Sequence, residues 1–337
     1  SVLTLVSGTI FSTLSGSTIA TSGTLGKLLI PEMQERGYKN AMAIGPIMGV
    51  GGLAMVIPPS ALAVVLGSLG KISIGKLLIG GILPGLLMAT VYLTYIIGRC
   101  WLQPSVAPSY VVTKLPLSQR IIYTGKYALP LLSIIAAVLG SIFFGVATPT
   151  EAAALGAVTS LILCAVYGKL NSETLKKASL DAVEITAMVF LIIAGSTAFS
   201  QILAFSGVSR ELIEVITKAD LSPFLILLGM LLTTLILGTF MEQIAIMMIT
   251  LPVYMPVIRA LGFDDVWFGI LMLINIEIAL TTPPFGMICF VMKAVCPPGT
   301  RLTDVYAAAL PFIVCDLITM GLIILFPSIV TFLPSFM

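Results

Sequence analysis

Ile57-Pro58-Pro59-Ser60 and Thr282-Pro283-Pro284-Phe285 decide how this chain is read. Each proline pair falls inside an apolar stretch long enough to cross a bilayer, residues 41–66 and 266–292. Adjacent prolines remove two amide donors and clash with the preceding turn, so each stretch is predicted to be a helix broken near mid-membrane. Gly49, Gly51 and Gly52 precede the first break and are expected to help it unwind. The surrounding landmarks repeat. Pro31 lies 6 residues before Gly37 and Pro256 lies 6 before Gly262; another 21 lead to Pro58 and to Pro283.

Upstream of each copy a polar break interrupts apolar sequence, Ser15-Gly16-Ser17-Thr18 in the first and Gly238-Thr239 in the second. The flanking arms, 2–14 and 19–30, then 224–237 and 244–257, are too short to cross. Each pair is therefore expected to be a re-entrant hairpin whose tip lies at mid-membrane, where irregular backbone is tolerated only if buried or lining a cavity.

Bulk composition agrees. Of 337 residues, 58% are hydrophobic and 9% charged, and the mean hydropathy is +1.13. A water-soluble surface is incompatible with those figures. Further apolar stretches at 77–97, 129–146, 152–166, 185–204 and 307–326 bring the expected total to roughly eight to ten membrane segments. A first hairpin entering from the cytoplasm leaves 12 of the 17 basic residues in cytoplasmic loops: Lys27, Arg36, Lys39, Arg99, Lys114, Arg120, Lys126, Lys169, Lys176, Lys177, Lys293 and Arg301. Lys71, Lys76, Arg210, Lys218 and Arg259 then lie outside, and the two copies are inverted relative to one another.

Several functions are excluded or disfavoured. A net charge of +2 without a basic run argues against nucleic acid. The absence of histidine removes Ser-His-Asp and Cys-His catalysis and the HExxH zinc motif. Cys100, Cys164, Cys289, Cys296 and Cys315 stand singly and are read as small apolar residues. Gly23-Thr24-Leu25-Gly26-Lys27 is too short for a phosphate loop, and Leu28 replaces its Ser/Thr. Ser15-Gly16-Ser17 offers a serine nucleophile only if Lys27 serves as its base.

Two tips and two breaks meeting at mid-membrane would present half-helix N-termini to a carboxylate, and carbonyl and hydroxyl oxygens to Na⁺. The ligand-type residues are Ser15, Ser17, Thr18 and Ser60 in one copy, and Thr239, Thr281 and Thr282 in the other. The alternative is that Ser-Gly-Ser and Thr-Pro-Pro only pack and kink an ordinary bundle. Glu242, Glu277 and Asp316 interrupt apolar segments. Glu242 follows a tip, where a helix N-terminus would stabilise it, and Asn275 is a possible partner for Glu277; coupling and structural roles stay open for both acids, and Asp316 is read as structural. Residues 103–126 form a hydrophilic linker, and Thr148-Pro149-Thr150-Glu151 a tight turn that caps the next helix.

The strings Ser15-Gly16-Ser17-Thr18-Ile19-Ala20-Thr21, Ile30-Pro31-Glu32-Met33, Arg36-Gly37-Tyr38, Ile57-Pro58-Pro59-Ser60, Ser73-Ile74-Gly75-Lys76-Leu77, Gly81-Ile82-Leu83-Pro84-Gly85, Thr148-Pro149-Thr150-Glu151-Ala152-Ala153-Ala154 and Thr282-Pro283-Pro284-Phe285-Gly286 carry a resemblance. Together they resemble the large membrane (M) subunit of tripartite ATP-independent periplasmic (TRAP) transporters, over essentially the whole chain. The resemblance implies an all-α polytopic protein of the bacterial cell inner membrane and not an enzyme. It implies sodium-coupled import of a carboxylate, such as a C4-dicarboxylate or sialic acid, by an elevator mechanism. The implied partners are a small (Q-type) membrane subunit and a periplasmic substrate-binding (P-type) protein.

Carried onto this sequence, the sodium candidates are Ser15, Ser17, Gly49, Gly52, Pro58, Gly238, Thr239, Thr281, Thr282 and Pro283. The substrate candidates are Ser15, Gly16, Ser17, Thr18, Ser60, Thr239, Glu242 and Thr282. No cofactor is expected. The expected division is a first repeat core at 1–66, a scaffold helix at 67–102, the linker at 103–126, helices of the second half at 127–205, a second repeat core at 206–295 and a C-terminal helix at 296–337. The resemblance implies scaffold helices ahead of the first hairpin, so either the stretch beginning at Ser1 is expected to be partial or a scaffold segment is expected to be supplied elsewhere. Rival readings are a divalent-anion/sodium symporter that needs no binding protein, and a non-transporting membrane scaffold or enzyme.

Overall fold

The computed structural model describes residues 2–108, 116–207, 211, 214 and 221–337, and among them there is no strand. Lys114, Arg210 and Lys218, three of the topology-setting cations, lie outside the described residues. The first hairpin is α1 (Val2–Ser15) and α2 (Thr18–Glu35); the first broken helix is α3 (Asn40–Val56) and α4 (Ala61–Gly70), bent by 42°. After α5 (Ile74–Gly80) and α6 (Ile82–Leu102) the chain enters the hydrophilic stretch. Its end is helical: α7 (Leu117–Tyr123) runs through one wider turn (Thr124–Ala128) into α8 (Leu129–Phe143). Next come α9 (Pro149–Val166) and α10 (Ser172–Ser206).

The second hairpin is α11 (Pro223–Gly238) and α12 (Gln243–Ala260), followed by a second broken helix, α13 (Asp265–Thr281) and α14 (Met287–Val295). α15 (Leu302–Leu325) is followed by the short α16 (Ser328–Thr331) and a final tight turn (Leu333–Phe336), so the C-terminal part is more than one helix.

The repeat inferred from the prolines extends to helix length and capping. α2 and α12 each have 18 residues, α3 and α13 each have 17, and each pair begins 225 positions apart, 18 to 243 and 40 to 265. The capping residues keep the same offset, Ser17 with Glu242 and Lys39 with Asp264. So do Gly37 and Gly262, whose φ angles of 81° and 76° suit glycine at a helix end.

The two copies interleave. α14 of the second lies along α2 of the first, and α4 lies along α12. Small residues permit the approach: a Cβ on Gly26 would lie 2.7 Å from Val295, and Arg259 Nη2 donates to the Gly70 carbonyl at 3.0 Å.

α3 and α13 form the centre, buried on every side from Met42 to Val56 and from Val266 to Thr281. A helix apolar all round belongs in a core. α9 and α10 are the opposite, with 11% and 6% of their apolar windows buried, so their surfaces suit lipid. Among the described residues, five helices are long and apolar enough to cross a membrane, or six with the bent α3–α4 pair. α1, α8 and α11 are apolar but shorter, as expected for α1 and α11 from the hairpin arms.

One expectation is corrected in the core. Gly49, Gly51 and Gly52 do not unwind α3, which stays helical to Val56. They are contact points: a Cβ on Gly49 would meet Phe312 at 2.5 Å, on Gly51 the Ser22 hydroxyl at 2.1 Å, and on Gly52 the Glu277 carboxylate at 2.7 Å. Interiors packed to crystal density leave no slack for an added methyl at such places.

Candidate functional site

At the first tip, Gly16 turns the chain with φ +58°, which costs glycine little. Ser17 then caps α2, its hydroxyl accepting from Ala20 N at 3.4 Å, and the Ser15 hydroxyl donates to the Ser17 carbonyl at 3.4 Å. This tip sits on the first break: a Cβ on Gly16 would lie 3.1 Å from Pro59 O and 3.5 Å from Ala61 N. The break, which contains Pro58, ends at buried Ser60, whose hydroxyl donates to Met55 O at 2.7 Å and accepts from Ala63 N at 3.2 Å to cap α4.

A cavity of about 550 Å³ opens at that junction. Ser15, Gly16, Pro59 and Ser60 line one wall. The other wall is α8 and α9, including Ile134, Val138, Thr150, Gly156 and Ser160. The starts of α4 and α9 both reach it, and it is lined by no Lys or Arg. Thr148 and Glu151 form the expected capping box on α9, Thr148 N donating to Glu151 Oε2 at 2.8 Å.

The second tip sits on its own break. Gly238 is pressed against Ala279, where a Cβ would approach to 2.3 Å, and the rings of Phe240 and Phe285 are 5.3 Å apart. Glu242 caps α12, its Oε2 accepting from Ile244 N at 2.8 Å, as its place after the tip suggested. Thr239 donates to Ile236 O at 2.8 Å and Thr282 to Ile278 O at 2.5 Å. Thr239, Glu242, Thr282 and Pro283 do not line the cavity at the first tip. Each tip thus sits on the break of its own copy.

The pairs are linked where α3 crosses α13, at Gly52 and Glu277. Glu277 stands 6 residues before Pro283 as Gly52 stands 6 before Pro58, so repeat mates touch. Under two-fold pseudosymmetry a residue meets its own mate only at the axis.

A profile described as "Tripartite ATP-independent periplasmic transporter, DctM component" matches residues 1–329. The chain belongs to this family. It is 34% identical over 336 residues to "C4-dicarboxylate TRAP transporter large permease protein DctM" of Pseudomonas aeruginosa, covering 97% of this chain and 75% of that protein. It is 30% identical to "Sialic acid TRAP transporter permease protein SiaT" of Haemophilus influenzae, over 97% of this chain and 52% of that one. "Ectoine TRAP transporter large permease protein TeaC" of Halomonas elongata is also 30% identical, with 98% and 76% covered. A solved structure, "Crystal structure of the Alcanivorax borkumensis YdaH transporter reveals an unusual topology", shares the fold at 15% identity and a TM-score of 0.51, covering 97% of this chain and 88% of that one.

The chain is a multi-pass inner-membrane protein of a transporter family, not an enzyme. Its family works with a substrate-binding protein and often a small membrane subunit.

Sequence reasoning missed two groups of residues and paired Asn275 differently. Thr21 and Ser22, with Thr18, carry buried hydroxyls that find no hydrogen-bond partner, whereas Thr90, Thr94 and Thr250 bond back to their own helices. Their closeness to Thr18 in the sequence was the available signal. Thr150 and Ser160 on the far cavity wall carried none beyond the capping box. Asn275 was assigned the wrong partner: its amide donates to Leu231 O at 2.8 Å, and Glu277 accepts instead from Thr281 Oγ1 at 3.2 Å. Two residues apart on a helix point to different sides. Asp316 accepts from the Tyr92 hydroxyl.

Proposed function

We propose that this chain is the membrane pathway for sodium-coupled import of a small carboxylate, delivered by a periplasmic substrate-binding protein (P type) and supported by a small membrane subunit (Q type). The observation that carries the reading is the cavity between the first tip-and-break pair and α8–α9. It holds hydroxyls and helix N-termini without a basic side chain, which suits an anion bound by dipoles rather than by an ion pair. Relatives named for C4-dicarboxylate and sialic acid transport support the substrate class.

In this reading the moving body is made of residues 1–66 and 206–295, and the scaffold of 67–102, 127–205 and 296–337, with 103–126 linking the halves. Sodium binds at the tips and breaks, through Ser15, Ser17, Gly49, Gly52, Pro58, Gly238, Thr239, Thr281, Thr282 and Pro283. Ser15, Gly16, Ser17, Thr18 and Ser60, with Thr239, Glu242 and Thr282 of the other pair, contact the anion during the cycle. The hairpins are re-entrant and inverted, and the moving body slides as an elevator along the exposed scaffold helices.

The test is uptake by proteoliposomes holding the full transporter complex, with and without its binding protein and with an imposed Na⁺ or K⁺ gradient. Uptake requiring both Na⁺ and binding protein is the expected result. Uptake of free substrate without binding protein rejects the tripartite reading in favour of a two-component symporter, and uptake indifferent to Na⁺ rejects the coupling.

A further inference from the structure

A groove of about 600 Å³ runs between α6 and α15 and shares no residue with the cavity at the first tip. Most of its length is apolar, with Val91 and Gly98 on one wall and Val314 and Ile318 on the other. The Thr90 and Thr94 hydroxyls donate to carbonyls of their own helix, Leu86 O at 2.7 Å and Thr90 O at 2.8 Å, so neither requires a partner in the groove.

Polarity is gathered at one end. Arg99 lines that end, is exposed and forms no ion pair among the described residues. Tyr95, one turn earlier on the same face, has its ring held edge-on by Phe312 at 5.4 Å, while its hydroxyl bonds to no described residue. Trp101, 82% exposed, stands two residues beyond Arg99 near the end of α6, and its residue type gathers at membrane–water interfaces.

The length matches one leaflet. Tyr92 is the middle residue of α6, and its bond to Asp316 crosses between the two helices at the deep end of the groove. Thr90 and Leu102, both lining residues, are 12 positions apart, about 18 Å along a helix. One leaflet of hydrocarbon is about 15 Å deep. A phospholipid meets both demands with one molecule: an acyl chain for the apolar walls, and a phosphate for the guanidinium, whose fork suits it. A net-negative headgroup is favoured, since a zwitterionic one brings its own cation beside Arg99.

We propose that the groove between α6 and α15 binds one anionic phospholipid, an acyl chain along the helices and the phosphate on the Arg99 guanidinium and the Tyr95 hydroxyl. The leaflet is the cytoplasmic one on the charge distribution read from the sequence. The site itself is independent of that reading and of sodium coupling.

The experiment uses the purified full transporter complex in detergent and counts bound lipid by native mass spectrometry. Dioleoyl phosphatidylglycerol is the probe and dioleoyl phosphatidylcholine the control. Arg99→Gln is expected to weaken the tightest phosphatidylglycerol site about fivefold, with little change for phosphatidylcholine. Gly98→Leu keeps the charge but fills the groove, because a Cβ there meets nothing within 4 Å, and is expected to lose one phosphatidylglycerol outright. Equal phosphatidylglycerol affinity in wild type and Arg99→Gln overturns the proposal, and so does a full phosphatidylglycerol count in Gly98→Leu. A photoreactive benzophenone on Gly98→Cys, in a complex freed of its other cysteines, is expected to couple to lipid. Coupling to a protein chain instead shows a helix in the groove and also overturns the proposal.

Discussion

Replacing Gly81 by alanine tests how tightly the first break is held. Gly81 joins α5 to α6 with φ −76° and ψ −16°, a conformation alanine adopts freely, so any effect is steric. An ideal Cβ there would lie 2.3 Å from the Val56 carbonyl oxygen, against an ordinary carbon–oxygen contact of about 3.3 Å. The obstacle is backbone at the last turn of α3, one residue before the break begins, and it has no side-chain rotamer with which to yield.

Overpacking of this kind costs about 1–3 kcal/mol. Gly98 and Gly140 are the controls, since a Cβ at either meets nothing within 4 Å and alanine gains up to ~1 kcal/mol of helix propensity. Thermal unfolding of the purified complex should place Gly81→Ala several degrees below wild type, at roughly 2 °C or more per kcal/mol, and both controls at or above it. Uptake by Gly81→Ala should fall as well, because the displaced carbonyl adjoins the break that leads to Ser60. Equal melting temperatures for Gly81→Ala and Gly98→Ala would refute the packing described at that junction.

Ser60→Ala removes both the α4 cap and the bond to Met55 O, and should cost about 1–2 kcal/mol in the same unfolding assay while raising the substrate concentration for half-maximal uptake. Tyr92→Phe strands the buried Asp316 carboxyl, with an expected loss of about 1–3 kcal/mol. Adding Asp316→Leu should return part of it, which a double-mutant cycle measures. Ser17→Ala and Thr282→Ala should each raise the Na⁺ requirement of uptake; wild-type values in both would move the coupling ion away from the tips.

The proline pairs made the two broken helices legible because two adjacent prolines permit few backbone solutions. The matching positions of Gly37 and Gly262 fixed the register between copies. The second tip was less legible. Gly238 and Thr239 looked like the counterpart of Ser15 to Thr18, yet the mate of Ser17 is Glu242, a carboxylate performing the capping that a hydroxyl performs in the first copy. Gly49 to Gly52 were misread because glycine in a sequence signals either a flexible backbone or a close neighbour, and only the positions of Phe312, Ser22 and Glu277 decide between them. The far wall of the cavity was invisible for the same reason. Thr150 and Ser160 are ordinary helix residues until α9 is placed opposite the first tip.

The central claim is that the first tip-and-break pair carries the anion past α8 and α9, and Ser15 and Ser160 face each other across the cavity between those parts. With the five native cysteines replaced, a Ser15→Cys/Ser160→Cys protein in the full complex is joined by a bifunctional, reducible thiol reagent, and uptake is measured before and after reduction. Arrest on joining and recovery on reduction is the predicted result; uptake at the unjoined rate while the bridge is intact would contradict the account.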